Sequence, residues 1–366
     1  MKILFNLGTL RKGGAERVVA NLSNYLAENN NDVSIVISVE KQSYYKLNNN
    51  VKLYGLDRKK ASNNFLIKNI SRLKRLNHIV RTIKPDIIIS FLPEPSYRVL
   101  ALKLFNKKLK VIVSVRNDPK IEYKTKINRI VMKILYPLAD GFVFQTKEAK
   151  EYFSKKIQQK SVIIPNPIDK KIIQRKVYTG KKEKKIVAVG RLVEQKNHEL
   201  LINAFNLVKD QIPEYNLIIY GEGSLREKLQ EQIERLNLKE RVFLPGNVDN
   251  IADKIENASL FVLSSNYEGM PNALMEAMAL GLICISTDCP CGGPRFLIEN
   301  NVNGYLINVG KEKELANKIK EIIVDKKQEE LEEVSNNARK KMLQMSEEKI
   351  GEIWFKYICS VIKKHR

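Results

Sequence analysis

The 366-residue chain is poor in the residues that build metal and redox centres, with four cysteines and three histidines. Cys284, Cys289, Cys291 and Cys359 are too few for a disulfide-stapled domain. Cys289-Pro290-Cys291 lacks the spacing of a zinc knuckle, and no histidine cluster accompanies it, so no metal site is expected. The thiols read as reduced, in a cytosolic setting. His78, His198 and His365 are scattered and read as surface or packing residues. No Asp-x-Asp occurs anywhere. No apolar run approaches the ~18–20 residues that span a bilayer. Residues 1–7 are too short for a secretory signal and lack a small-residue cleavage site, so retention in the compartment of synthesis is expected.

What the chain has in excess is positive charge, 64 Lys and Arg against 41 Asp and Glu, a formal net of +23. Residues 1–185 hold 40 basic and 14 acidic side chains, a balance of +26. Residues 186–366 hold 24 and 27, a balance of −3. A half that basic calls for phosphate, nucleic acid or an anionic membrane surface as its partner. Nucleic acid is disfavoured, because no helix-turn-helix, zinc-finger or aromatic RNA-binding signature is present.

The length suits two domains, and 43% hydrophobic residues can fill a core in each. In the first half, apolar strand patterns over 3–7, 33–39, 86–92, 111–115 and 141–145 alternate with helical patterns over 14–29, 65–84 and 124–138. Residues 165–185, with Pro165-Asn166-Pro167 and a basic run, read as a linker. The alternation then restarts, with strands over 186–189, 216–220, 241–244, 260–263 and 283–286. Helices fit at 197–210, 224–237, 250–257 and 272–280, and an all-helical tail begins at 311. The pattern predicts an α/β protein with two doubly wound parallel sheets, its ligand in the cleft between them.

Three strand-loop-helix junctions hold candidate chemistry. Gly13 and Gly14 open the first helix, where bare backbone N–H groups attract anions; the loop reads equally as a tight turn. Its spacing is not the dinucleotide fingerprint G-x-G-x-x-G, which disfavours an NAD-dependent oxidoreductase. Gly190-Arg191-Leu192 with Lys196 puts two cations where a diphosphate would sit, though alone it reads as well as a solvated loop. Glu268-Gly269-Met270-Pro271-Asn272-Ala273-Leu274 leads into a helix carrying Glu276. Its amides form a second anion nest, and paired carboxylates suit sugar and ribose hydroxyls.

With Asn303-Gly304-Tyr305-Leu306, these elements make the chain resemble, over nearly its whole length, the retaining glycosyltransferases of family 4, whose GT-B fold has two Rossmann-like domains. Glu268 to Glu276 matches the family's E-x7-E element. The resemblance implies transfer of a sugar from a nucleotide sugar, usually UDP-linked, with retained configuration and with neither metal nor cofactor. It implies that Arg191 and Lys196 bind the donor diphosphate and stabilise the leaving group, and that Glu268 touches the hexose and Glu276 the ribose. Amides near Gly269, Met270, Asn272, Ala273 and Leu274 would hold sugar hydroxyls, and Gly13 and Gly14 would close over the phosphates from the opposite domain. It implies an acceptor domain over 1–170, joined by the last helix at about 346–366, and a nucleotide-sugar domain over 171–345. Two positions depart from the family. Where relatives often carry a His, the loop reads Ser114-Val115-Arg116-Asn117-Asp118, making Arg116 a candidate acceptor contact. The Gly-Pro-Arg-Glu element is Gly293-Pro294-Arg295-Phe296.

A helical projection of 65–84 puts Leu66, Ile70, Leu73, Leu76, Val80 and Ile83 on one face and Lys68, Arg72 and Arg75 on the other, and 98–110 adds another apolar-basic stretch. Such a helix is a solvated face or a grip on an anionic acceptor. Relatives that extend polyprenyl-diphosphate-linked glycans use a basic helix in this way. The expected activity is therefore transfer of a hexose or N-acetylhexosamine to such a glycan, in capsule or lipopolysaccharide synthesis, on the cytoplasmic face of the inner membrane. The rivals are a UDP-sugar 2-epimerase of the same fold and a basic nucleic-acid-binding protein.

Overall fold

The structure, a computed structural model, describes residues 1–11, 13–39, 41–57 and 64–363. The chain divides into two compact units, Met1–Pro167 with Glu347–Arg366, and Ile168–Ser346.

The first unit holds a seven-stranded, all-parallel sheet. Its spatial order is Lys52–Gly55, Asp32–Ile37, Lys2–Leu7, Ile87–Phe91, Val111–Ser114, Gly141–Phe144, Ser161–Ile163. The chain starts at the centre, builds one side, then crosses back and builds the other, as doubly wound sheets do. The Ile87–Phe91 run is apolar but for Ser90, which accepts from Asn6 Nδ2 at 3.0 Å, because helices cover both faces, and every residue in it is buried. The last helix, Glu347–Lys363, docks on this unit through the fully buried Trp354, whose ring stacks on Phe91 with centroids 6.1 Å apart. The Tyr357 hydroxyl accepts from the Phe142 amide at 2.9 Å and donates to the Lys160 carbonyl at 2.7 Å.

The second unit repeats the plan with six parallel strands in the order Val242–Gly246, Asn216–Tyr220, Glu183–Val189, Ala258–Leu263, Cys284–Thr287, Tyr305–Ile307. Its core joins Ile186, Leu217, Val262 and Ile285 from the sheet to Phe205 and Leu315 from the helices. The strand order reverses between Glu183–Val189 and Ala258–Leu263, the switch point where ligands bind in open parallel sheets. The loops that leave the carboxyl ends of these two strands carry Arg191, Lys196 and Glu268.

Strands Lys52–Gly55, Ser161–Ile163 and Tyr305–Ile307 go beyond the sequence expectation. Each is a three- or four-residue edge strand, too short for an apolar run. The 98–110 stretch belongs mostly to a helix, Pro93–Phe105. The expected linker is corrected too. Ile168 donates to the Met345 carbonyl at 2.8 Å and bridges to Ser346, Lys170–Ile173 forms a helical turn capped by Asp169, and Glu183 to Lys185 already lie in a strand. Within this run Arg175 pairs with Asp253 and with Glu256 at 2.8 Å, so that cation has acidic partners. Helix Phe65–Ile83 buries Leu76, Ile79 and Val80 but leaves Ile70 exposed, which corrects the projected face.

The four cysteines form no disulfide. Burial pushes the Cys284 thiol far up and the Cys289 thiol to about 12, so both stay protonated and inert. Among the described residues no helix is long and apolar enough to cross a membrane, and no cluster of three His, Cys, Asp or Glu side chains is placed to hold a metal. His78 is exposed, and His365 lies outside the described residues.

Candidate active site

Lys196 and Glu268 meet in the second unit. The Lys196 ammonium donates to Glu268 Oε1, which also accepts from the Ser265 hydroxyl at 2.7 Å. Both side chains are largely buried, so each needs the other's charge. The backbone explains why they meet. Asn197 takes a left-handed conformation (φ 45°), which Asn tolerates, and caps helix His198–Val208 by accepting from the Leu200 amide at 3.2 Å. That turn aims Lys196 back over Gly190, where a Cβ would stand 3.2 Å from the Lys196 stem. Asn266 ties the two loops together. Its amide donates to the Gln195 carbonyl at 2.8 Å, its Nδ2 to the Glu194 carbonyl at 2.8 Å, and its Oδ1 accepts from Asn197 at 2.9 Å.

Arg191, on the same loop, is exposed, and its Nη2 donates to Gln195 Oε1 at 3.2 Å. The site thus offers one cation anchored by a carboxylate and one open to solvent. His198 is buried beside them, its ring facing the backbone of Gly190 and Arg191 without a well-aligned hydrogen bond. Burial, reinforced by the Lys196 charge, pushes it down to about 4. At neutral pH it is an uncharged packing group.

Helix Asn272–Ala279 begins at the expected residue, with Pro271 as its N-cap, and ends one residue early. Glu276 is buried in its second turn, and Leu274 is buried while Asn272 and Ala273 are half-exposed. Gly269 and Met270 are buried before the cap. Gly293 closes on this turn, since a Cβ there would stand 1.7 Å from the Gly269 carbonyl oxygen and 3.2 Å from Pro271 Cδ. Only glycine permits that approach. Behind Glu268, Thr287 Oγ1 donates to the Ser265 carbonyl at 2.6 Å and Cys289 Sγ to the same oxygen at 3.1 Å. Ser265, Asn266 and Gln195 were given no role from sequence, and Gly293 entered only as part of the Gly-Pro-Arg-Phe element. The Gly-Gly pair before Pro294 was the one legible sign of a tight approach.

In the first unit the structure corrects three expectations. Gly13, the N-cap of helix Gly14–Glu28, is clamped by Tyr45, whose hydroxyl accepts from the Gly13 amide at 2.9 Å and donates to its carbonyl at 2.7 Å. That amide is therefore engaged, while Gly14 is exposed. Arg116 is buried rather than presented to an acceptor. Its guanidinium lies 4.8 Å from the Phe91 ring and 5.5 Å from Trp354, donates to Asn166 Oδ1 at 2.9 Å, and is pushed down to about 9 by burial. Its neighbour Asp118 is also occupied, as the cap that accepts from the Lys120 amide at 2.9 Å. Arg72 forks onto Asp57 with two 2.7 Å bonds and reaches Glu94 at 3.2 Å, while Lys68 lies 3.6 Å from Asp57. Asp57 engages these two members of the basic stripe, with Glu94 as a second acid for Arg72. Arg75 differs, because its Nη1 has no partner and it lines an open groove of about 750 Å³ with Lys41, Tyr54, Asp57 and His78.

Residues 169–341 match the pattern of Glycosyl transferases group 1, and residues 12–171 match that of Glycosyltransferase Family 4. An uncharacterized glycosyltransferase of Methanocaldococcus jannaschii is 34% identical over 256 residues, 64% of this chain and 63% of that one. A Campylobacter jejuni protein, named as the α-1,4-N-acetylgalactosaminyltransferase of a diphospho-undecaprenol-linked glycan, is 29% identical over 99% of both chains. In fold, the chain is similar to Anabaena HepE solved with UDP, with a TM-score of 0.80, 17% identity, and coverage of 98% of this chain and all of that one.

Proposed function

The chain belongs to the family 4 glycosyltransferases of GT-B fold, and from that premise we propose that it transfers a hexose or N-acetylhexosamine from a UDP-linked sugar to a polyprenyl-diphosphate-linked glycan. The second unit takes the donor. The observation that carries this reading is the Lys196–Glu268 pair with Arg191 exposed on the same loop, at the switch point of the second sheet. When the bond from the sugar to its phosphate breaks, negative charge grows on the departing diphosphate. Two cations fixed beforehand stabilise that charge without reorganising. Arg191 supplies a planar fork and Lys196 a point charge. Glu268 holds Lys196 in place and offers its carboxylate to a sugar hydroxyl, and Glu276 does the same for the ribose. Transfer proceeds with retained configuration and without a metal, the two cations taking the part a metal would play.

The acceptor belongs to the first unit. Its excess of positive charge, +26 over residues 1–185, suits a diphosphate-linked lipid glycan, and the name of the Campylobacter relative describes such an acceptor. Arg75, which lines an open groove and is not held by Asp57 as Lys68 and Arg72 are, is the member of the basic stripe best placed to meet it.

The test is incubation of the purified protein with UDP-sugars and an undecaprenyl-diphosphate-linked oligosaccharide. Release of UDP with an extended, α-linked lipid glycan is expected. An isomerised UDP-sugar without transfer would assign the chain to the epimerases instead.

A further inference from the structure

The first unit carries an exposed apolar ridge on helix Lys126–Leu135. Ile127, Ile130 and Ile134 stand 73%, 57% and 64% exposed, at the i, i+3, i+7 spacing that puts them in one line. The same helix buries Met132 toward the unit, and Lys126, Arg129 and Lys133 form a third, cationic line beside the ridge. The helix contains no acidic residue. Just before it, Lys120, Ile121 and Lys124 are also exposed. Among the described residues none of these cations has an acidic partner, unlike Lys68 and Arg72. Leu104 and Phe105 end helix Pro93–Phe105, which packs alongside, and both are exposed.

Three aligned isoleucines left in water invite aggregation, so such a ridge marks a surface that is covered in use. We propose that this ridge is the face by which the chain lies on an anionic membrane, the isoleucines entering the headgroup layer while Lys126, Arg129 and Lys133 meet acidic headgroups. The charge selects this occupant over a second copy of the chain. A symmetric contact through the ridge would bring two cationic lines together with no acid between them, whereas an anionic leaflet satisfies both lines at once. A helix with adjacent apolar and lysine-rich faces and no span of its own is the pattern of an in-plane interfacial helix. The surface differs from the basic helix that the sequence pointed to, whose cations Asp57 and Glu94 largely engage. The proposal rests on the lipid-linked acceptor reading, since a membrane-bound substrate requires the enzyme to reach a bilayer.

The full chain is mixed with vesicles of phosphatidylcholine alone or with phosphatidylglycerol at about one lipid in three, and vesicle-bound protein is measured by flotation. The wild type is expected to float with the anionic vesicles. Ile127→Ser/Ile130→Ser/Ile134→Ser and Lys126→Ser/Arg129→Ser/Lys133→Ser should each bind at least about tenfold less, and more salt should weaken the wild type. The single variant Ile130→Asp serves if a triple variant fails to fold, and it too should lose most binding. Undiminished flotation of the variants would overturn the proposal. So would a wild-type dimer that the isoleucine variant converts to monomers, which would assign the ridge to self-association. Transfer to a short-chain, water-soluble acceptor should be unchanged in the variants. Its absence in the wild type would count against the transferase reading while leaving the flotation result to judge the ridge.

Discussion

Lys196 and Glu268, 72 residues apart in the chain, form an ion pair whose side chains are only 14% and 7% exposed. Neither can leave without stranding the other. Breaking such a pair costs far more than the pair contributes, because the orphaned charge remains in a poorly solvated place. The arrangement reads as a device for fixing a cation at the point where diphosphate charge develops.

Arg191 and Lys196 should therefore separate in their effects. Arg191→Ala is expected to lower kcat by roughly 10²–10³-fold with the melting temperature unchanged, since its side chain is exposed. Lys196→Met should lower kcat comparably and also destabilise the fold by about 3 kcal/mol, because it strands Glu268. Steady-state kinetics and calorimetry on the two variants check this; a Lys196→Met protein of unchanged stability would contradict the pairing argument.

Gly293→Ala places a methyl group 1.7 Å from the Gly269 carbonyl, against backbone that has no rotamer to yield. The turn before Asn272 must then shift. We expect a loss of about 1–3 kcal/mol in stability and a raised donor KM. A neighbouring change at the exposed Phe296, to Ala, should do neither.

The acid limb of stability should carry the mark of His198. An unfolded histidine takes its proton near pH 6.5, this one only near 4. Between those values the unfolded state binds more protons, so stability falls as pH drops from 6.5 to 4, by on the order of 3 kcal/mol in all. Glu122 works the other way, since burial holds its folded carboxyl protonated up to about 7 and it loses stability as pH rises from 4.5 to 7. Melting curves of His198→Phe against wild type isolate the first effect. The variant should lose much of the wild type's decline below pH 6.5, and identical profiles would contradict the assignment.

On the acceptor side, Arg72→Ala should cost stability through the stranded Asp57 and leave acceptor KM near normal, whereas Arg75→Ala should raise acceptor KM without unfolding the helix. Kinetics against the lipid-linked acceptor, with melting temperatures beside them, distinguish the two.

The buried central strands were legible because a parallel strand covered on both faces is a near-continuous apolar run, as Ile87–Phe91 is with only Ser90 polar. Edge strands such as Ser161–Ile163 were not, since three residues with one face half-open leave no pattern. In the site, Arg191, Lys196 and Glu268 stood out because each lies in a strand-loop-helix junction. Ser265 and Asn266 did not, because small polar loop residues are common and only the fold reveals that Ser265 holds the Glu268 carboxylate and that Asn266 joins two loops 72 residues apart. The basic helix misled for a physical reason. A helical projection shows which side chains share a face but not which acid waits opposite, and Asp57 arrives from a different strand's end. Arg116 misled similarly, since its aromatic partners Phe91 and Trp354 come from distant parts of the chain.

The central claim is that two cations on the 190–197 loop hold the diphosphate of a nucleotide sugar. Calorimetric titration of the full chain with UDP and with uridine, in wild type and Arg191→Ala, tests it most directly. The account predicts that the wild type binds UDP at least about tenfold more tightly than uridine and that Arg191→Ala erases most of that difference, each tenfold being about 1.4 kcal/mol. Equal binding of UDP by both proteins, or no preference for UDP over uridine in the wild type, would contradict it.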